Sequence, residues 1–211
     1  MSKLDDLINE LCPDGVEYVK IKDRFQRLKG TPITATKMKE IDNFDGEIKI
    51  FAGGKTVINA KEKDIPKANI TRVPAVLVQS RGIIGVVYYD KPFTFKNEMW
   101  AYTADSITEV KFLYYVLKNN IEKFREEASG MGSLPQISLK VTEEFKIPVP
   151  HIEVQREIVR IPDNFTELTL RKKQYEYYRD MLLNFDDSIE WRTLGGLRKL
   201  QIMLQMEVSQ V

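Results

Sequence analysis

The feature that most constrains this chain is an apolar spacing in its last third. Val154, Ile158, Ile161, Phe165, Leu168, Tyr175 and Leu182 follow alternating four- and three-residue steps, with Lys172 and Arg179 in the two remaining places. This is a coiled-coil-like seam over several heptads. As one helix, His151 to Phe185 would span roughly 50 Å. No domain of this size needs such a rod for its own core, so the seam should face another long helix, from a second chain. Pro162 disturbs the pattern. It lacks a backbone N–H and its ring clashes with the Ile158 carbonyl, so a kink or break is expected there.

The rest of the composition is that of an ordinary globular protein, with 43% hydrophobic and 30% charged residues in 211. Lys and Arg number 32 against 31 Asp and Glu, a net charge of +1, which excludes a bulk polycation but not a local basic patch. Cys12 and His151 are the single cysteine and histidine. They permit no intramolecular disulfide or zinc finger, and they argue against a Ser-His-Asp or Cys-His centre. Met1-Ser2-Lys3-Leu4-Asp5-Asp6 is acidic where a signal peptide is basic and apolar. The longest apolar runs, 75–78 and 83–89, fall far short of the ~20 residues of a membrane helix. A cytoplasmic location with no membrane contact is expected.

Leu4, Leu7, Ile8 and Leu11 predict a helix over 3–12, stopped by Pro13-Asp14-Gly15. β-rich stretches follow at 17–21, 47–51, 75–79 and 83–89, separated by Lys29-Gly30-Thr31-Pro32, Asp45-Gly46, Gly53-Gly54-Lys55 and Ser80-Arg81-Gly82. Ser106-Ile107-Thr108-Glu109 fits a capping box opening a helix over 107–128, and Ser129 to Ser133 forms a loop. The fold class expected is α+β: a mixed twisted-sheet domain with flanking helices over 1–148, a long coiled-coil-like helix over 149–187, and a tail over 188–211. Val16-Glu17-Tyr18-Val19-Lys20-Ile21 is echoed by Ile189-Glu190-Trp191-Arg192-Thr193-Leu194, so the tail reads as the aborted start of a second repeat.

Several short motifs carry two readings each. Ala52-Gly53-Gly54-Lys55-Thr56 resembles the end of a phosphate-binding loop, but Lys49 stands where that loop needs its first Gly. It reads instead as a turn offering Lys55 to a DNA phosphate or as a plain hairpin turn. Asp42 or Asp45 with Glu47-Ile48-Lys49 resembles a nuclease metal site, yet Asp45 is too close to Glu47 to come from a separate strand, and a solvated strand face is the simpler reading. Ser80-Arg81-Gly82 is a surface turn or one presenting Arg81 to a guanine edge or phosphate. In Phe93-Thr94-Phe95-Lys96-Asn97, Lys96 could hold a phosphate and Asn97 pair with adenine, or the aromatics could be core with one capping Asn. Met131, Ser133 and Gln136 lie on a loop that could enter a groove. Tyr175, Tyr177 and Tyr178 read as packing residues before a base-stacking platform. Lys20, Lys22, Arg24, Arg27 and Lys29 form a basic run, either a solvated face or a DNA-lining one.

Taken together, the pieces resemble a specificity subunit of a type I restriction-modification system. The resemblance rests on Leu4 to Tyr18, Leu134-Pro135-Gln136-Ile137-Ser138-Leu139-Lys140, Phe145-Lys146-Ile147-Pro148-Val149-Pro150, Ile152 to Val159 and Arg171 to Arg179. It covers about 4–194. Lys29-Gly30, Gly53-Gly54 and Ser80-Arg81-Gly82 match looser family features. Family members usually carry two target recognition domains, each followed by a spacer helix, and the helices pair antiparallel as a ruler between two DNA half-sites. This chain resembles a half-length form. Pro162 replaces an apolar helix former, Thr166-Glu167-Leu168-Thr169-Leu170 looks like a shortened four-residue repeat, and the tail after Gly195 departs from the start of a second domain.

The resemblance implies a non-catalytic reader of double-stranded DNA that docks methyltransferase and restriction subunits and homodimerises through the long helix. S-adenosylmethionine, ATP and Mg²⁺ are implied only for those partners, with no cofactor or metal in this chain. The rival readings are an oligomerising structural protein, an inactive truncated subunit and, behind them, a Mg²⁺-dependent nuclease. The DNA-binding residues expected are Lys29, Thr31, Lys55, Gln79, Ser80, Arg81, Lys96, Asn97, Ser133 and Gln136. Those expected to face the partner helix are Val154, Ile158, Ile161, Phe165, Leu168, Tyr175 and Leu182.

Overall fold

The computed structural model describes residues 2–129 and 134–183, with side chains to 178. The chain divides into a compact unit, Met1–Asp163, and a second unit beginning at Asn164.

The first unit is organised around three sheets. β1 (Tyr18–Lys20) pairs antiparallel with β9 (Lys146–Pro148). β2 (Gln26–Leu28), β8 (Trp100–Thr103), β5 (Ala75–Gln79) and β6 (Gly85–Tyr89) form an antiparallel sheet in that spatial order. In the third sheet, β3 (Ile48–Phe51) makes a hairpin with β4 (Val57–Ala60) and runs parallel to β7 (Phe93–Phe95). The β stretches expected from sequence are present, but they are distributed over three sheets rather than one.

The two larger sheets pack face to face through β5. Successive strand side chains point to opposite faces, and both faces of β5 are buried. Val76 and Val78 join Ile21, Tyr102, Leu113, Leu117 and Ile147 in one core. Ala75 and Leu77 join Phe51, Phe93, Phe95, Met99 and Ala101 in another. This explains why 75–78 reads as an unbroken apolar run. Fully burying Phe93 and Phe95 contributes about 1.5–3 kcal/mol each. A third core, with Ile33, Met38, Ile41, Ile48 and Ile50, lies beneath α3 (Ala35–Ile41), the helix that follows the single turn α2 (Ile21–Arg24).

The helices differ from expectation in instructive ways. α1 (Lys3–Leu11) carries the capping box: Asp5 N–H donates to Ser2 Oγ at 3.3 Å and Ser2 N–H to Asp5 Oδ2 at 2.8 Å. The box expected at Ser106 is not made, because Glu109 is buried and pairs with Arg24 instead. The helix expected over 107–128 is two, α4 (Ile107–Asn119) and α5 (Ile121–Glu126), parted at Asn120, whose Nδ2 donates to Val116 O at 2.8 Å. α6 (Leu139–Glu143) is short. α7 (Ile152–Leu183) continues through Pro162, so no break occurs there. Asp163, the next residue, is held by Lys111 Nζ at 2.5 Å and Tyr115 Oη at 2.5 Å, two contacts from α4 that help offset the lost helical bond. No helix of the described residues is long and apolar enough to cross a membrane.

Gly30 fixes one turn of this frame. A Cβ there would lie 2.6 Å from the Phe95 carbonyl oxygen, a backbone atom that cannot swing away. Gly30→Ala should cost about 1–3 kcal/mol through overpacking, read as a lower midpoint in chemical denaturation. Glu157 pairs with Arg160 at 2.6 Å and Lys3 at 3.1 Å, and the Arg160 hydrogen bond leads in pulling its pKa from 4.5 to about 2, against a smaller desolvation effect. A depressed carboxylate stabilises the fold above its unfolded pKa, and that contribution is lost as pH falls from 4.5 towards 2. Glu157→Gln should therefore melt at a lower temperature than the parent at pH 7. The gap should close in thermal melts as pH drops through that window.

Candidate nucleic-acid interface

Because β5 is gripped on both faces, the turns at its C-terminal end gather in one place. Ser80 leaves β5 buried, its hydroxyl donating to the Glu98 carbonyl. Arg81 forms an antiparallel bridge with Gln136. Gly82 N–H donates to Pro135 O at 2.8 Å, and Ile137 N–H to Ser80 O at 3.0 Å. Gly82 has φ +77°, where a side chain would be strained. Gln79 Nε2 reaches the β3–β4 turn and donates to Gly54 O at 2.7 Å. The turn from β7 to β8, Lys96 to Met99, closes with a 2.9 Å bond from Met99 N–H to Lys96 O.

Glu98 ties these turns together. Its Oε1 accepts from Gly53 N–H at 2.9 Å and its Oε2 pairs with Lys96 Nζ at 3.0 Å. Burial alone would raise its pKa. The Gly53 amide, the Lys96 ammonium and the Arg81 charge outweigh burial and hold the carboxyl below its ordinary value. Sequence reasoning missed Glu98. The available signal was one acid inside the otherwise basic and amide-bearing turn Lys96-Asn97-Glu98.

The expected DNA-binding residues sort by accessibility. Lys29, Lys55, Arg81, Asn97 and Gln136 are exposed. Gln79 and Lys96 are half-buried and tethered as described. Thr31 and Ser80 are buried frame residues: Thr31 Oγ1 shares a 2.7 Å hydrogen bond with Thr94 Oγ1 and accepts from Asn69 N–H at 2.9 Å. Burial removes both side chains from contact with a large ligand. Ser133 lies outside the described residues. Lys29 and Asn97 share a cleft of about 470 Å³ with Arg27, Asn69, Met99 and Trp100.

The basic run mostly serves the fold. Lys20 pairs with Glu144 at 2.5 Å, Lys22 pairs with the same carboxylate, Arg24 with Glu109, and Arg27 with Glu143 at 3.3 Å. The hydrogen bonds from Lys20 and Lys22 draw the Glu144 pKa from 4.5 to about 2. Of the five cations, Lys29 alone has no ion pair among the described residues. Two of the nuclease-like residues, Glu47 and Lys49, are also engaged. Glu47 Oε1 accepts from Glu62 N–H at 2.9 Å, and Lys49 Nζ sits 5.7 Å from the Tyr89 ring centroid. Residues 52–56 form the β3–β4 hairpin turn, with Ala52 N–H bonded to Thr56 O at 2.9 Å.

The apolar seam separates into two parts. In the first unit Val154 is buried in the domain, so it is unavailable to a second helix. Ile158 lines a groove with Phe112, Tyr115 and Pro162. Ile161 is exposed. In the second unit Phe165, Leu168 and Tyr175 are 67%, 61% and 67% exposed. Leu182, the remaining seam position, and the 189–194 echo lie outside the described side chains. Tyr177 and Tyr178 pack edge-on with centroids 5.5 Å apart.

Comparison with known proteins places this architecture. A family model described as the type I restriction modification DNA specificity domain matches residues 13–176. The specificity subunit of the Escherichia coli type I restriction enzyme EcoR124I/EcoR124II is 39% identical over 111 residues, covering 45% of this chain and 26% of that protein. The C-terminus of a type I specificity protein from Mycoplasma pneumoniae is 32% identical over 124 residues, 53% of this chain and 82% of that one. The crystal structure of the S subunit from M. genitalium has the same fold, with a TM-score of 0.57 at 23% identity over 82% of this chain and 47% of that one. This chain thus spans about a quarter of the E. coli relative and about half of the solved S protein. With the family model extending from the first sheet well into α7, the chain belongs to the type I restriction-modification DNA specificity family.

Proposed function

We propose that the Met1–Asp163 unit reads one half-site of a bipartite DNA target and directs methyltransferase and restriction subunits to it. The observation that carries this reading is the convergence of Lys55, Arg81, Asn97 and Gln136, all exposed, on turns tied to one another through Glu98, Gln79 and Pro135. These residue types suit the two jobs of a DNA reader. Lys55, with Lys29 in the adjoining cleft, fixes position on phosphates. Arg81 offers a fork for guanine, and Asn97 or Gln136 an amide for adenine.

The exposed Phe165, Leu168 and Tyr175 supply the second half of the proposal, an antiparallel pairing of two spacer helices in a homodimer. Two identical readers related by a two-fold axis select a palindromic target split by a fixed spacer. The methyl donor, ATP and Mg²⁺ belong to the partner subunits in this scheme.

Co-expression with a methyltransferase subunit of the same system, followed by mapping of modified adenines, tests the reading. A split palindromic motif is expected. An asymmetric motif would mean pairing with a different specificity polypeptide, and no modification beside an active control would sink the reader function. Arg81→Ala should weaken binding to the mapped motif roughly 5- to 150-fold, the range of a lost bidentate base contact of ~1–3 kcal/mol. Unchanged affinity and motif would remove Arg81 from the site. Leu168→Asp should convert the dimer to monomer in light scattering while the circular dichroism of the recognition domain persists. A surviving dimer would place the interface elsewhere.

A further inference from the structure

Glu98 is an unexpected group on a surface read as anion-binding. A carboxylate there repels phosphate, and a backbone amide and a lysine hold it in place. Its two oxygens are divided between two turns: Oε1 takes the Gly53 N–H of the β3–β4 turn at 2.9 Å, and Oε2 takes Lys96 Nζ at 3.0 Å. Its own carbonyl accepts the Ser80 hydroxyl from the turn that carries Arg81. A Cβ on Gly53 would stand 2.9 Å from Oε1, so the carboxylate sits directly against that backbone. One residue therefore touches the three turns that carry Lys55, Arg81 and Asn97.

We propose that Glu98 is a positioning residue for base discrimination, locking the Lys55, Arg81 and Asn97 turns in register and holding Lys96 off the phosphate backbone. This deepens the DNA-reading function proposed above and rests on it. Two physical consequences follow. The first is preorganisation. Base contacts discriminate only when the donor fork is fixed relative to its neighbours, because a mobile fork finds a partner on any sequence. The second is charge. Lys96 freed from Glu98 becomes one more cation for sequence-independent phosphate contact, and each such contact steepens the salt dependence by about 0.9 in log K against log salt. Glu98 thus lowers non-specific affinity and raises the ratio of specific to non-specific binding, the quantity a genome-searching protein depends on.

The test uses the full chain in complex with its methyltransferase subunits, titrated by fluorescence anisotropy. The probes are a duplex carrying the motif mapped by adenine methylation and a shuffled duplex, each over about 50–200 mM salt. Glu98→Gln keeps an oxygen for Gly53 N–H but loses the charge that holds Lys96. It should bind the shuffled duplex about 3- to 10-fold tighter, steepen its salt slope by about 0.9, and cut the mapped-to-shuffled ratio at least about tenfold. Adding Lys96→Met should abolish the extra slope, since that cation is its source. Glu98→Asp keeps the charge but loses reach; it should lower discrimination without steepening the slope. The inference fails if Glu98→Gln loses affinity for both duplexes in parallel with an unchanged slope and a lower melting temperature, the signature of a structural pin. It fails equally if the variant matches the parent. A parent complex that does not distinguish the two duplexes would sink the DNA-reading function itself. That comparison involves no Glu98 variant, so the two failures are separable.

Discussion

The burial of β5 on both faces is the constraint from which the rest of the first unit follows. Val76 and Val78 lock it to α4 and the β1–β9 side of the molecule, while Ala75 and Leu77 lock it to the aromatic cluster of Phe51, Phe93 and Phe95. A strand fixed on both faces cannot slip by one residue without turning every side chain to the wrong core. Its C-terminal end is therefore a rigid platform. The turn at Arg81 and the β7–β8 turn are both anchored to it, and the β3–β4 turn is reached from it through Gln79. Loops can vary in residue identity on such a frame without disturbing it, and that freedom is what a family of sequence readers requires.

Much of this frame was legible in the sequence. The unbroken apolar run of β5, the Gly-Gly hairpin turn, the helix beginning at Ile107 and the long α7 all follow from local periodicity or turn chemistry. Distant pairings were not. The parallel register of β3 with β7 joins Lys49 to Phe93, a separation local patterns do not encode. The same limit explains Thr31 and Ser80. Both are small hydroxyl residues in Gly-containing turns, and turn composition suggests exposure. Burial arises because Thr94 and Glu98, far along the chain, supply partners for their hydroxyls. Glu109 fits a capping box locally, but Arg24 in another element claims it.

The seam shows a different limit. A heptad pattern states that one face is apolar; it does not state what covers that face. Val154 and Phe165 obey the same spacing, yet the first is buried in its own domain and the second is two-thirds exposed. The change sets in at Ile161, already exposed, beside Pro162 and beside Asp163, which Lys111 and Tyr115 clasp. Val154, before this point, finds its neighbours within the domain. Phe165, Leu168 and Tyr175, after it, stay exposed among the described residues, as the proposed pairing of two spacer helices requires.

Charge placement resolves the tension between a net charge of +1 and the proposed DNA-binding role. The cations most visible in the sequence, Lys20 to Arg27, are neutralised by Glu109, Glu143 and Glu144 within the fold. Lys29, Lys55 and Arg81 are left exposed without an ion pair among the described residues. A protein that covered its surface with unpaired lysines would bind any duplex, and the many non-specific sites of a genome would outcompete the target. Pairing the flanking cations internally limits that background, while Lys55 and Arg81 stand on turns tied to those that carry the exposed amides of Asn97 and Gln136. By this reasoning the near-neutral balance is compatible with a sequence reader and better suited to one than a strongly basic surface.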